Sequence, residues 1–321
     1  MTNRPNLFIA GAPKTGTTSL YGYLDGHPDV FMSPVKEPMY FAVDMRGGPR
    51  RRFVYPEDEA EYLALFAGAR GEKVLGEAST RYLASPAAPS LIHDFNPGAS
   101  IVAMLRNPVD MLEALHNERV SFGTEDILDF ELALDADQDR LAGRRLRPGA
   151  DPLWGAYRHW GMYGEQLARW LSVFDSAQMH VVVFDDFVAD TPREFERLLE
   201  FLRVDQTYRP ASFAPRRQRH QRRRGVLRAV VDTPLARWTA HRLLPAVLGR
   251  TGSTHLVWRF RQSRLNLQER SRVPIRPELR RQLEDEFRPD VERLSEILGR
   301  DFVDLWFGAA AAPPRPVDAA A

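Results

Sequence analysis

The sequence predicts an α/β fold: a three-layer sandwich with a central parallel sheet flanked by helices. Three observations carry this expectation. Apolar runs at 7–11, 100–105 and 179–184 show no polar alternation, as strands covered on both faces do. Segments of helical spacing lie between the strands and after them. The first strand ends in a glycine- and threonine-rich turn that opens a helix, the pattern of a strand–helix–strand unit.

Residues 7–11 read as the first buried strand and 16–26 as the helix it feeds. A second short strand is expected at 29–33, "DVFMS", and helical spacing returns at 57–66. The strand at 73–79, "KVLGEAS", ends in polar residues. Residues 100–105 form the clearest central strand, with a Pro-Gly turn before it and "RNP" after it. Pro108 suits the first turn of the next helix, which should run to about Val120. A helix follows at 163–174, a β-branched strand at 179–184, and helices at 192–202 and 277–298. Ligands of such sheets bind beyond the carboxyl ends of the strands. The informative loops are therefore those after Ala10, Leu105 and Leu75.

Residues 1–308 read as one domain and 309–321 as a disordered, low-complexity tail. The Arg/Pro-rich stretch 205–275 reads either as a cover over substrate or cofactor or as a poorly ordered insert. Apolar residues make up 44% of the chain, enough for a core and too many for a disordered class. The net charge of +1 supplies no global field for nucleic acid, and the arginine cluster at 216–228 lacks interleaved aromatics. There is no cysteine, which excludes disulfides, thiolate metal sites and cysteine nucleophiles. The first apolar run is too short for a signal peptide or a membrane span, and no later run approaches spanning length. The expectation is a cytoplasmic protein. Its oligomeric state is not legible.

The stretch "FIAGAPKTGTTSL" carries the chemistry. Gly11 and Gly16 have the spacing of a P-loop, G-x-x-x-x-G-K-[ST]. Thr17 stands where that motif has its lysine, and the lysine has moved forward to Lys14. Backbone N–H groups from Thr15 to Thr18 form an anion nest at a helix N-terminus. Thr15, Thr17, Thr18 and Ser19 add hydroxyl donors. No acidic strand end of the metal-holding kind accompanies the loop, so no metal is expected. A displaced lysine and no Gly-Lys-Ser also argue against the rival reading, a nucleotide kinase. The ligand suggested is a phosphate-bearing group such as a 5′-phosphosulfate.

Here the chain resembles the sulfotransferases that use 3′-phosphoadenosine 5′-phosphosulfate (PAPS), a P-loop NTPase-like fold. "APKTGTTSLYGYLDGHPDV" is similar to their 5′-phosphosulfate loop, "SPVKEPMYF" to their K-E-P-x-F-F segment, and "AMLRNPVDMLEALHNERV" to their 3′-phosphate segment. "VVVFDDFVADTPREFERLLEFLRVD" and "IRPELRRQLEDEFRPDVERLSEILGRDFVDLW" resemble their late strand–helix unit and C-terminal helix. The likeness is closest to bacterial enzymes and the heparan sulfate group. With no run of spanning length, the Ala/Arg/Pro-rich composition points to a bacterial enzyme, and the expected acceptor is a small-molecule, lipid or glycan hydroxyl.

The resemblance implies roles residue by residue. Lys14 matches the loop lysine that stabilises charge on the departing 5′-phosphate, and Gly16 belongs to the same loop. Glu37 matches the general base, which takes the acceptor's proton; otherwise Lys36 and Glu37 are a solvated pair before a turn. Lys36 either lowers the Glu37 pKa or contacts substrate. Arg106 matches the arginine whose fork holds the 3′-phosphate. Ala114 departs from the pattern: the family usually has a serine there, also on the 3′-phosphate. That loss leaves open a degenerate homologue that binds nucleotide without turnover. "GEAST" at 76–80 is similar to a G-E-K-S segment and offers Glu77, Ser79 and Tyr82 as acceptor-site residues, with Ala78 in place of a lysine. His116 is either an acceptor-site group or a histidine packed near the cleft. Arg223 and Arg224 resemble part of an R-K-G that clasps the 3′-phosphate, and Arg272 is their rival.

Overall fold

The structure is a computed structural model, which describes residues 3–47, 56–214 and 274–308 together with the backbone of 221–223 and 267–269. Five strands, β1 (Leu7–Gly11), β2 (Val30–Met32), β3 (Val74–Ala78), β4 (Ser100–Leu105) and β5 (Met179–Val183), form a parallel sheet of order β2-β3-β1-β4-β5. β6 (Gln221–Arg223) and β7 (Leu267–Glu269) make a separate antiparallel pair.

The central strands β1, β3 and β4 are buried on both faces, which is why β1 and β4 read as unbroken apolar runs. Side chains of a strand alternate between faces. Leu7, Ile9, Val102 and Met104 point to one face and pack on Leu20 and Leu24 of α1 (Thr17–Leu24). Phe195 and Leu198 of α10 (Thr191–Phe201) complete that layer. Phe8, Ala10, Ile101, Ala103 and Leu105 point to the other face. There they meet α2 (Glu59–Ala64), α3 (Ala88–Phe95), α4 (Pro108–Ser121) and α8 (Tyr163–Leu171) through Tyr62, Ile92, Leu112 and Trp170. This is the expected three-layer sandwich.

The expected elements all form, with ends that shift by a few residues, as end-fraying and capping allow. Helix α11 (Pro277–Leu298) keeps its expected bounds. The sequence reading passes over α3, α5 (Phe130–Asp135), α6 (Asp137–Leu141), α7 (Pro152–Gly155), α9 (Phe184–Ala189) and α12 (Phe302–Phe307). Each spans eight residues or fewer, too short to display a clear helical period. Among the described residues no helix is long and apolar enough to cross a membrane.

Helix α11 also supplies the cap that α8 lacks. Met162 offers no side-chain acceptor at the start of α8. The Asp290 carboxylate of α11 accepts from the Gly164 and Glu165 N–H groups instead, each at 2.8 Å. The two helices touch backbone to backbone here: a Cβ on Gly164 would lie 2.3 Å from the Asp290 carbonyl oxygen. Gly164→Ala is therefore expected to destabilise the protein by about 1–3 kcal/mol through overpacking. Urea unfolding checks this, and a variant with the wild-type midpoint would count against the close approach.

Candidate active site

Three neighbouring strands, β3, β1 and β4, deliver the site at their carboxyl ends. β1 ends at Gly11, where φ is +150° and a Cβ would sit 2.8 Å from the Thr80 carbonyl oxygen. Only glycine fits both constraints. The Ala12 N–H then donates to the Met104 carbonyl of β4 at 2.7 Å. The Thr15 hydroxyl donates to the Ala12 carbonyl at 2.7 Å and closes the loop on itself. Gly16, at φ +91°, is the N-cap of α1 and provides no side-chain cap. The first-turn N–H groups of Thr17 and Thr18 thus have no intrahelical or capping side-chain partner, which suits an anion. The four predicted hydroxyls divide: Thr15, Thr17 and Ser19 are buried, whereas Thr18, with Lys14 and Gly16, reaches the surface.

Glu37 stands at the end of β3. Its N–H donates to the Ala78 carbonyl at 2.9 Å, and the Met39 N–H donates to the Ser79 hydroxyl at 3.0 Å. This stitching holds Glu37 and Met39 at φ +65° and +55°, in the left-handed region, which disfavours non-glycine residues. The Glu37 carboxylate accepts from the Lys36 ammonium at 2.8 Å and the Thr80 hydroxyl at 3.0 Å. Burial pushes its pKa up. The charge and hydrogen bond of Lys36, the nearby charge of Arg81 and the Thr80 hydroxyl outweigh burial and hold it below the ordinary value. With 31% of its side chain exposed, Glu37 is an ionised carboxylate open to a ligand.

Arg106 follows β4. Its guanidinium donates to the Lys14 carbonyl at 3.2 Å and lies 4.8 Å from the centre of the Phe184 ring. The next residue, Asn107, caps α4 by accepting from the Val109 N–H at 3.0 Å, and its amide donates to the Trp306 carbonyl at 2.8 Å. Trp306 in turn donates to Asp185 at 3.1 Å. The C-terminal segment thus braces the start of α4 from behind. Further along α4, Ala114 is buried, and Glu118 one turn later accepts from the Lys14 ammonium at 3.1 Å. Sequence reading missed Glu118. Its only signal was a position one helical turn past Ala114, on the same face. Thr80, which holds Glu37, lay inside the quoted "GEAST" but was not singled out.

Two groups of expected site residues lie beneath the surface. His116 is buried, its ring N–H donates to the Ile127 carbonyl at 2.9 Å, and it packs on Phe130 and Tyr157. It is the packed histidine of the two readings. Glu77, Ser79 and Tyr82 are all 0% exposed. Glu77 accepts from Ser79 at 2.6 Å, Tyr82 at 2.7 Å and Tyr62 at 2.9 Å. These residues correct the acceptor-site expectation: closed off from solvent, they form a support under the Glu37 turn. Burial, only partly offset by the three hydroxyl donors, raises the Glu77 pKa to about 7. β6 runs beside α4, but the side chain of Arg223 lies outside the described residues, as do Arg224 and Arg272.

The model of the Sulfotransferase family matches residues 5–208. Carbohydrate sulfotransferase 15 of Homo sapiens is 28% identical over 255 residues, covering 62% of this chain and 44% of that protein. Heparan sulfate glucosamine 3-O-sulfotransferase 6 of Mus musculus is 27% identical over 203 residues, covering 62% and 52%. The chain therefore spans about half the length of these curated relatives. A solved sulfotransferase from Alicyclobacillus acidocaldarius superposes with a TM-score of 0.70 at 29% identity, covering 95% of this chain and 99% of that one. The fold is P-loop NTPase-like, as the loop implied.

The buried carboxyl makes a pH prediction. Glu77 has an ordinary value of 4.5 when unfolded and about 7 when folded, so the folded state binds the extra proton between them. Its stabilising contribution is complete below pH 4.5 and is lost as pH rises through about 7, on the order of 3 kcal/mol in all. Glu77→Gln should flatten that part of the stability–pH profile, measured by urea unfolding at a series of pH values. An unchanged slope would mean that Glu77 is ionised in the folded protein.

Proposed function

The chain belongs to the sulfotransferase family, and we propose that it moves a sulfuryl group from PAPS to a hydroxyl acceptor, leaving a sulfate ester and adenosine 3′,5′-bisphosphate. One observation carries this reading: Glu37, Lys14 and Arg106 stand side by side at the carboxyl ends of β3, β1 and β4. A base, a cation for a departing phosphate and a fork for a terminal phosphate are the three groups the reaction needs.

PAPS supplies the activated sulfur–oxygen bond. Glu37, ionised and exposed, takes the proton of the acceptor hydroxyl as that oxygen bonds to sulfur. Lys14 and the first-turn N–H groups of α1 hold the 5′-phosphate, which leaves with the electron pair of the broken bond. The Arg106 guanidinium binds the 3′-phosphate. Stacking on Phe184 and the bond to the Lys14 carbonyl aim it in advance. Thr18 is the loop hydroxyl open to the ligand.

The acceptor is a small-molecule, lipid or glycan hydroxyl. Relatives named for carbohydrate and heparan sulfate glucosamine favour a sugar hydroxyl. Arg81, near Glu37, also lines a cavity of 470 Å³ with Tyr40, Arg46, Glu57 and Asp94, and an aromatic ring among charged hydrogen-bonding groups of both signs suits a sugar.

Calorimetric titration tests the reading. Adenosine 3′,5′-bisphosphate should bind more tightly than adenosine 5′-phosphate, with no need for Mg²⁺. Arg106→Ala should erase a preference of roughly ten- to a hundredfold. Equal binding of the two nucleotides by the wild type would remove the basis for a PAPS site. Glu37→Gln should lower kcat by about 10²–10⁴ while leaving bisphosphate affinity unchanged. Removing the Lys36 charge takes away the largest influence that lowers the Glu37 pKa. The acidic limb of kcat/KM should therefore move to higher pH in Lys36→Met, and an unmoved limb would rule out Glu37 as the titrating base.

A further inference from the structure

The Lys14 ammonium already has a partner, and that partner is on the helix that begins beside Arg106. Glu118 Oε1 lies 3.1 Å from Lys14 Nζ, with both side chains largely enclosed at 24% and 18% exposure. The pair joins residues 104 positions apart, so the sheet and α4 create it, not local sequence. A lysine cannot give its full charge to a phosphate while it is neutralised by a carboxylate, and a carboxylate beside the loop repels an incoming anion.

We propose that Glu118 is a positioning residue that holds Lys14 back when no donor is bound and recaptures it when the bisphosphate product leaves. This rests on the reading of Lys14 as the donor's lysine. On binding, the ammonium moves from Glu118 to the phosphate oxygens. On release, Glu118 competes for the lysine and loosens the product's grip. The device weakens nucleotide binding in exchange for faster turnover, since product release sets the rate of many enzymes that hold charged products. It also keeps the loop from being filled by stray inorganic anions.

Titration of adenosine 3′,5′-bisphosphate into wild type, Glu118→Gln, Lys14→Met and the double variant tests the proposal. Glu118→Gln keeps the shape and removes the charge. It should tighten bisphosphate binding roughly fivefold, the scale of a partly exposed ion pair. Most of the change should appear as slower dissociation in stopped flow. In the Lys14→Met background the same substitution should have a much smaller effect, because its action runs through the lysine. The donor KM of Glu118→Gln should fall while kcat stays level or drops. A Glu118→Gln protein of unchanged melting temperature that binds the bisphosphate equally or more weakly overturns the proposal, as that is what a mere brace for Lys14 would give. If Glu118→Gln lowers the melting temperature, Glu118→Ala is read by the same binding criterion. A wild type that prefers the 3′-phosphate without tightening in Glu118→Gln leaves the sulfotransferase reading intact and removes only this inference. A wild type with no preference for the bisphosphate removes both.

Discussion

Everything at the site depends on the burial of β1 between β3 and β4. Its register with both neighbours, Ile9 opposite Ala78 on one side and Val102 on the other, leaves the three strand ends in line. Because Leu7, Phe8, Ile9 and Ala10 are all fully buried, the strand cannot slip by one residue. A slip would exchange its two faces and drive Phe8 into the layer that holds Leu7 and Ile9. The positions of Lys14, Glu37 and Arg106 relative to one another are therefore set by the ladder of backbone hydrogen bonds. The loops only finish what the ladder begins.

That rigidity sustains local features that are unfavourable taken alone. Among the described non-glycine residues with positive φ are Lys14, Glu37 and Met39, all at this end of the sheet. Each such residue costs on the order of 1 kcal/mol, and each is tied down: Glu37 by a backbone bond to β3, Met39 by the Ser79 hydroxyl and Lys14 by the closed loop. Beneath them lies Glu77, a fully buried carboxyl that only a complete set of donors makes tolerable. Its partner Ser79 also receives the Met39 N–H. The costly buried group and the strained turn thus belong to one network, which fixes where the Glu37 carboxylate stands.

The fold was legible because its evidence is local. A strand dry on both faces announces itself by composition, and Pro108 announces a helix start. The loop could be read from Gly11, Lys14 and Gly16, whose roles follow from backbone geometry. The same dryness hid which strand residues face the site. With no polar alternation along β3, nothing in "VLGEAST" said that Glu77 points down toward Tyr62 while Glu37, from another segment, takes the open position. Polar residues at a strand end read as site-facing, and the hydroxyls of Tyr62 and Tyr82 that satisfy Glu77 carry no charge that would mark them in the sequence. Glu118 was illegible for a related reason. A glutamate on a helix is usually a solvated face residue, and only the closure of α4 against the loop makes it a partner for Lys14.

The charges at the site are arranged in pairs before any ligand arrives: Lys36 with Glu37, and Lys14 with Glu118. The two pairs act in opposite senses. Lys36 keeps Glu37 ionised, which fixes the protonation state a base must start from but lowers its proton affinity. Glu118 pairs with the Lys14 ammonium, which on the proposed mechanism limits ground-state attraction for phosphate. In the proposed reaction Lys36 gives up some proton affinity at Glu37 for a base that is ionised at the start, whereas Glu118 limits the resting hold on phosphate but not the attraction for the charge that accumulates later. Only the second pair favours the transition state over the ground state, the difference on which catalysis depends. The contacts of Arg106 with the Phe184 ring and the Lys14 carbonyl differ in kind: a ring face and a neutral carbonyl orient the guanidinium in advance of the 3′-phosphate proposed for it.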